Sequence, residues 1–343
     1  MIGTGNIGAY HVATLSERVS GVEVTALFDV ATDRAREIAD AVGATAHNRA
    51  EDVVEAPDVD AVLIASPGDL HAEQVLACIA AGKPVLCEKP LAPTTQECLK
   101  VIDAEVASGR HLVQVGFMRR YDQAYRELKA TLTAGDIGDA LMLHCRHRNP
   151  SVHDYFTSDM SLTDSVVHEV DTARWLLDDE IAAVTVMSGK PSPRAAIKDP
   201  QLVVFEMVSG VLVDVESFVN AHYGYDVQCE LVGSMGVASM DTPARGFVTR
   251  SGARGLRVPA DWRERFDAAY QTELQDWANS LPTGEVHGAD AWDGYAATAV
   301  AEAGLRARLD GSRVAVELID RPGFYDRNRL TAGEPSREEA SLR

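Results

Sequence analysis

Three glycines within the first eight residues constrain this chain more than any other feature: Gly3, Gly5 and Gly8 in Met1-Ile2-Gly3-Thr4-Gly5-Asn6-Ile7-Gly8. In a G-x-G-x-x-G run between a strand and a helix, the first glycine permits a tight turn. The second lets the backbone approach a pyrophosphate, and the third lets helix and strand pack closely. The next element is predicted to be a helix from Asn6 to about Ser20, with Asn6 and Ile7 at the phosphate end. Asp29 comes twenty-one residues after Gly8, at the end of the next predicted strand. A carboxylate there can hold an adenosine ribose diol and repels a 2′-phosphate, so NAD is favoured over NADP. The strand before the triplet is only Met1 and Ile2 long, against about five residues for a typical strand. The expectation is therefore a truncated first strand, a true start upstream, and impaired cofactor affinity and stability in the chain as it stands.

At 343 residues, with 46% hydrophobic and 24% charged side chains, the chain suits two soluble domains, each with its own core. No apolar run of about 18 residues predicts a membrane span, and no secretory leader opens the sequence, so a cytoplasmic location is expected. A net charge of −20 disfavours nucleic acid and acidic membranes as partners, yet a glycine loop still leaves a local site for a small anion. Cys78, Cys87, Cys98, Cys145 and Cys229 are odd in number and lack C-x-x-C spacing, which argues for buried thiols rather than disulfides or a metal cluster.

The periodicity changes once along the chain. Up to residue 118, strands at 22–28, 60–65, 84–87 and 111–115 alternate with helices at 32–42, 70–81 and 94–108. Thr32 is the expected cap of the first of these helices, and Gly43 closes it. Such alternation with short loops predicts an α/β Rossmann domain, a doubly wound parallel sheet. After a helix at 123–134, strands are expected at 141–147, 183–187, 202–207, 211–219, 227–232 and 237–240, with one strong helix at 161–177 and two more at 263–280 and 289–309. Residues 119–330 thus read as an α+β domain with a large open, mostly antiparallel sheet, and 331–343 as a frayed polar tail.

Three groups of residues carry chemistry. Glu88-Lys89-Pro90 follows a parallel strand, where open α/β sheets bind ligands. A lysine there can donate to a substrate hydroxyl and lower the pKa of a neighbouring acid. In Asp164-Ser165-Val166-Val167-His168-Glu169-Val170-Asp171 the i, i+4 spacing puts Asp164 and His168 on one helical face, with Asp171 one turn on. A carboxylate beside an imidazole sets its tautomer and supports its charged form, as a general base for alcohol oxidation requires. Polar and aromatic residues of Phe117-Met118-Arg119-Arg120-Tyr121-Asp122, His147-Arg148-Asn149-Pro150 and Tyr223-Gly224-Tyr225-Asp226 would suit a ligand with many hydroxyls, if they converge.

Together these strings resemble the glucose-fructose oxidoreductase/inositol dehydrogenase/rhizopine-catabolism (Gfo/Idh/MocA) family, and within it the inositol 2-dehydrogenases, over almost the whole chain. The resemblance implies a homotetramer assembled through the open sheets and oxidation of a polyol, myo-inositol foremost, with NAD. It implies that His168 takes the hydroxyl proton while hydride passes to nicotinamide C4, that Asp164 orients His168, and that Lys89 hydrogen-bonds the reacting oxygen. Ser66, Glu88 and Lys89 join Asn6, Ile7, the glycines and Asp29 as cofactor residues. Met118, Arg119, His147, Asn149, Asp171 and Tyr225 join the catalytic three as substrate residues, and no metal is implied. The alternatives are another sugar or inositol-isomer dehydrogenase, an NAD-retaining glycoside hydrolase, and a non-catalytic dinucleotide-binding protein.

Overall fold

Short apolar strands separated by amphipathic helices can bury both faces only as a parallel sheet between helices. The computed structural model describes residues 1–193, 196–240 and 248–326 and has this arrangement at its start. Val62–Ile64, Val85–Glu88 and Val113–Gly116 run parallel, side by side and fully buried. Ala26–Leu27 runs parallel to Thr45–Ala46. Met1 and Ile2 sit between the two groups. Ile2 bridges Phe28 on one side and Ile64 on the other, both in parallel sense. Its N–H donates to the Leu63 carbonyl (2.9 Å), the Gly3 N–H to that of Phe28 (2.8 Å), and the Ala65 N–H to that of Ile2 (2.7 Å). Two residues thus complete the ladder on both sides, at the point where the chain's direction of winding reverses.

The predicted strand 22–28 is shorter than expected, Ala26–Leu27, because its neighbours Met1–Ile2 and Thr45–Ala46 are each two residues long. Helix Thr32–Val42 starts with Ala31 in the capping position and no side-chain cap, so Thr32 is its first residue rather than its cap. Gly43 closes it in the left-handed conformation, as predicted.

The second sheet has seven strands in the order Val237–Ser239, Asp226–Gly233, Ala140–Arg148, Leu212–Phe218, Gln201–Met207, Ile181–Ser188 and Val314–Ala315. Only Ala140–Arg148 and Leu212–Phe218 are parallel. Alternation is strict: Leu143, Cys145, Val213, Val215, Val227, Cys229 and Leu231 face in, while charged residues such as Arg146, Glu216 and Glu230 face out. All five cysteines are free and buried.

The chain then returns to the first sheet. Ala289–Asp290 pairs antiparallel with Val113–Gly116, and helix Ala291–Asp310 packs on both helix Thr95–Ser108 and strand Ile181–Ser188. One apolar core therefore runs from Val62 and Val85 in the first sheet to Val213 and Leu231 in the second. The predicted tail 331–343 lies outside the described residues.

Candidate active site

A cleft of about 690 Å³ opens where the C-terminal ends of the parallel strands meet the second sheet. The glycine loop forms one end. Gly3 has φ of +90°, and a Cβ on it would meet Ser66 and Ala65 backbone atoms at 2.5–2.6 Å. A Cβ on Gly8 would lie 2.1 Å from the Gly3 carbonyl oxygen, whereas one on Gly5 would meet nothing within 4 Å. The three positions thus carry the turn, the close packing and the open approach expected of them, and Gly5, Asn6 and Ile7 line the cleft. No side chain caps helix Asn6–Arg18, so its first N–H groups are left for an anion.

Asp29 is buried at the end of its strand. It accepts from the Thr4 N–H (2.6 Å), the Thr4 hydroxyl (2.9 Å) and the Ala31 N–H (2.7 Å), and Arg34 lies 3.5 Å away. Burial works to raise its pKa, and these bonds outweigh it, leaving the carboxyl below its usual range. Ser66 also lines the cleft and donates to Gln74 (2.6 Å), while the His71 ring spans the Ser66 and Pro90 carbonyls (2.8 and 2.7 Å). Glu88 is buried against His11 Nε2 (2.7 Å). An open backbone, helix N–H groups and an ionised carboxylate one strand away fit a dinucleotide with a free ribose diol.

Lys89, Asp164 and His168 line the same cleft. Lys89 Nζ donates to Asp164 Oδ1 (2.6 Å) and to the Asp164 carbonyl (3.0 Å). The Lys89 charge holds the Asp164 carboxyl below its usual range. The pairing of Asp164 with His168 expected from α-helical spacing is not made. Residues Ser161–Val166 are wound as a π-helix that gives way to an α-helix at Val167, and the carboxylate goes to the ammonium, a stronger partner than a neutral imidazole. His168 Nδ1 is buried without a protein partner. Burial, then the charges of Lys89 and Arg119, push the imidazole well below its ordinary pKa. The ring is thereby held in its neutral form.

Met118, His147, Asn149 and Tyr225 also reach the cleft wall, and Asn149 Oδ1 is a second buried polar atom without a protein partner. Arg119 and Asp171, grouped with them from sequence, do not line it. The Arg119 guanidinium is 1% exposed and pairs with Glu169 behind the wall. Asp171, also 1% exposed, takes a bidentate bond from Arg120 (2.6 and 3.0 Å). Both turn into the protein because a buried charge needs a counter-charge more than a solvent-facing one does. Sequence reasoning missed Tyr155, Met160, Trp262 and Tyr270, which line the cleft. Trp262, Phe266 and Tyr270 recur at i, i+4, i+8 in helix Trp262–Ser280, a signal that ordinarily marks a core face. Trp262 and Tyr270 meet Tyr10 edge-on, with ring centroids 5.3 and 5.7 Å away.

Among the described residues no helix is long and apolar enough to cross a membrane. Residues 1–117 match the model of an oxidoreductase family with an NAD-binding Rossmann fold, and residues 125–239 match the GFO/IDH/MocA C-terminal domain. The chain is 48% identical over 330 residues to inositol 2-dehydrogenase 3 of Saccharopolyspora erythraea, covering 96% of this chain and 98% of that protein. It is 47% identical to inositol 2-dehydrogenase of Serratia proteamaculans, covering 95% and 98%. The crystal structure of myo-inositol dehydrogenase from Lactobacillus casei, in complex with NAD(H) and myo-inositol, superposes with a TM-score of 0.91 at 33% identity, covering 94% of this chain and 98% of that one. With its glycine loop, its paired lysine and its buried imidazole in one cleft between two sheets, the chain belongs to the Gfo/Idh/MocA family of NAD-binding oxidoreductases.

Proposed function

We propose that this protein oxidises myo-inositol to 2-keto-myo-inositol. The observation that carries the proposal is the convergence, in one cleft, of Lys89, Asp164 and His168 with the polar wall of His147, Asn149 and Tyr225. NAD, when bound, accepts the hydride at nicotinamide C4. The neutral His168 accepts the hydroxyl proton, so the carbon loses a hydride, the oxygen a proton, and a ketone is left. Lys89, held by Asp164, donates a hydrogen bond to the reacting oxygen as negative charge gathers there. The polar side chains of His147, Asn149 and Tyr225 in the wall favour a ligand rich in hydroxyls over an apolar one.

Absorbance at 340 nm, followed with purified protein, NAD and a panel of inositols and hexoses, tests this reading. Turnover of myo-inositol supports it; silence across all inositols with turnover of another sugar overturns the substrate. Asp29→Asn should weaken NAD at least several-fold and narrow the preference over NADP, since the ribose acceptor and the charge repelling a 2′-phosphate go together. Equal NAD kinetics in that variant would remove Asp29 from the ribose site.

The protein works in the cytoplasm as a homotetramer joined through the open sheet. On the outer face Met187 and Leu202 stand opposite one another at 44% and 39% exposure, an apolar pair with Glu216 on the next strand. Sedimentation of the active enzyme at the mass of four chains is the expected result, and a stable active monomer would contradict it.

A further inference from the structure

We propose that Glu169 is a positioning residue for this oxidation: its buried carboxylate fixes the tautomer of His147 so that Nε2 offers a lone pair to a substrate hydroxyl. The inference rests on the functional reading above and deepens it. Glu169 follows His168 in helix Val167–Leu177 but faces away from the cleft, 1% exposed. His147 Nδ1 lies 3.0 and 3.1 Å from its two oxygens, and Arg119 Nη1 pairs with the same carboxylate. Burial alone would raise the Glu169 carboxyl, but Arg119 and then His147 hold it below its usual range.

An ionised carboxylate can only accept hydrogen bonds, so the imidazole proton beside it sits on Nδ1. Arg119 Nη2 approaches the same nitrogen at 3.2 Å, and a bond there would need Nδ1 bare. Two carboxylate oxygens outweigh it, and Arg119 already has its counter-charge in Glu169. In its neutral form the ring then keeps its lone pair on Nε2, the edge opposite Glu169. His147 lines the cleft, with its ring centroid 6.4 Å from that of His168 and 6.2 Å from that of Tyr225. Arg119–Glu169–His147 is thus a chain from the protein interior to the cleft wall, ending in a hydrogen-bond acceptor whose direction is set from behind. A polyol hydroxyl that donates to Nε2 is free to accept from another group in the wall.

Glu169→Gln in the full chain is the test. Its amide can turn the oxygen to Arg119 and the NH2 to His147 Nδ1, which moves the ring proton to Nε2 and makes the cleft face a donor. KM for the polyol should rise about tenfold or more, the loss of one well-aligned hydrogen bond, with kcat falling by less than KM rises. The calorimetric Kd for NAD should stay within a factor of about two, as no cofactor contact is touched. The ¹⁵N shifts of the His147 ring supply a readout that packing alone would not move: Nδ1 protonated and Nε2 bare in the parent, the reverse in Glu169→Gln. Glu169→Asp, which retains the carboxylate, should keep the parent tautomer and recover part of the KM. The proposal is overturned by a parent ring protonated on Nε2, or by a reversed tautomer with unchanged KM. If Glu169→Gln does not fold, the parent spectrum and Glu169→Asp decide. The ring shifts need no substrate, so a failed substrate assignment and a failed tautomer assignment are separately visible.

Discussion

His168→Ala lowers turnover by roughly 10²–10⁴-fold, the usual span for a general base, and leaves NAD affinity near that of the parent. The imidazole is 8% exposed and lies edge-on to Phe117, with ring centroids 6.2 Å apart. Packing therefore holds it in place, with no protein hydrogen bond at Nδ1. Water entering the space left by the ring is a far weaker base and is not fixed in direction. The cofactor end of the cleft is lined by Gly3, Gly5, Asn6, Ile7 and Asp29, which the substitution does not touch. Steady-state kinetics with the polyol, beside calorimetry with NAD, separates the two effects. Full activity in the variant would remove His168 from the proton-accepting role.

The second large effect falls on stability. Arg120 binds Asp171 through two nitrogens and Asp293 at 2.9 Å, with Asp171 deeply buried. Arg120→Met keeps most of the volume and strips the charge. Asp293 retains Arg174 at 2.7 Å, but Asp171 loses its bidentate partner at 1% exposure. Breaking one side of a buried pair costs about 3–5 kcal/mol, because the surviving charge is neither solvated nor paired. Urea denaturation should show a loss of that size near neutral pH. Asp171→Asn added to Arg120→Met should recover part of it by removing the stranded charge. The penalty should also shrink as pH falls, since protonation neutralises Asp171. An unchanged midpoint for Arg120→Met would mean that water reaches the site.

The part of this fold legible in the sequence is the part set by local chemistry. Gly3, Gly5 and Gly8 announce their turn because the close contacts at Gly3 and Gly8 admit no side chain, and Asp29 follows at the spacing one βαβ unit dictates. Strict alternation makes the strands around Leu143, Val213 and Val227 readable for the same kind of reason. The parts that resist reading depend on partners distant in sequence. Arg119 and Arg120 are adjacent, yet one pairs with Glu169 and the other with Asp171, and neither lines the cleft. The spacing of Asp164 and His168 suggests a mutual bond, but a π turn and a lysine seventy-five residues away decide otherwise. Met1 and Ile2 look too short to serve as a central strand; their neighbours supply the pairing on both sides.

The helix Ala291–Asp310 has a mechanical consequence. Because it is packed against both sheets and lies in a core continuous between them, swinging the two halves apart would expose apolar surface along their junction. At about 25 cal/mol per Å² such an opening is costly even for a few hundred Å². Entry and exit of small molecules are therefore borne by the rim: the segment around Tyr155, which is 71% exposed, and the side chains of Met160 and Trp262 that border it. The slow coordinate in a catalytic cycle would then be a local rearrangement of these groups over a frame that stays closed.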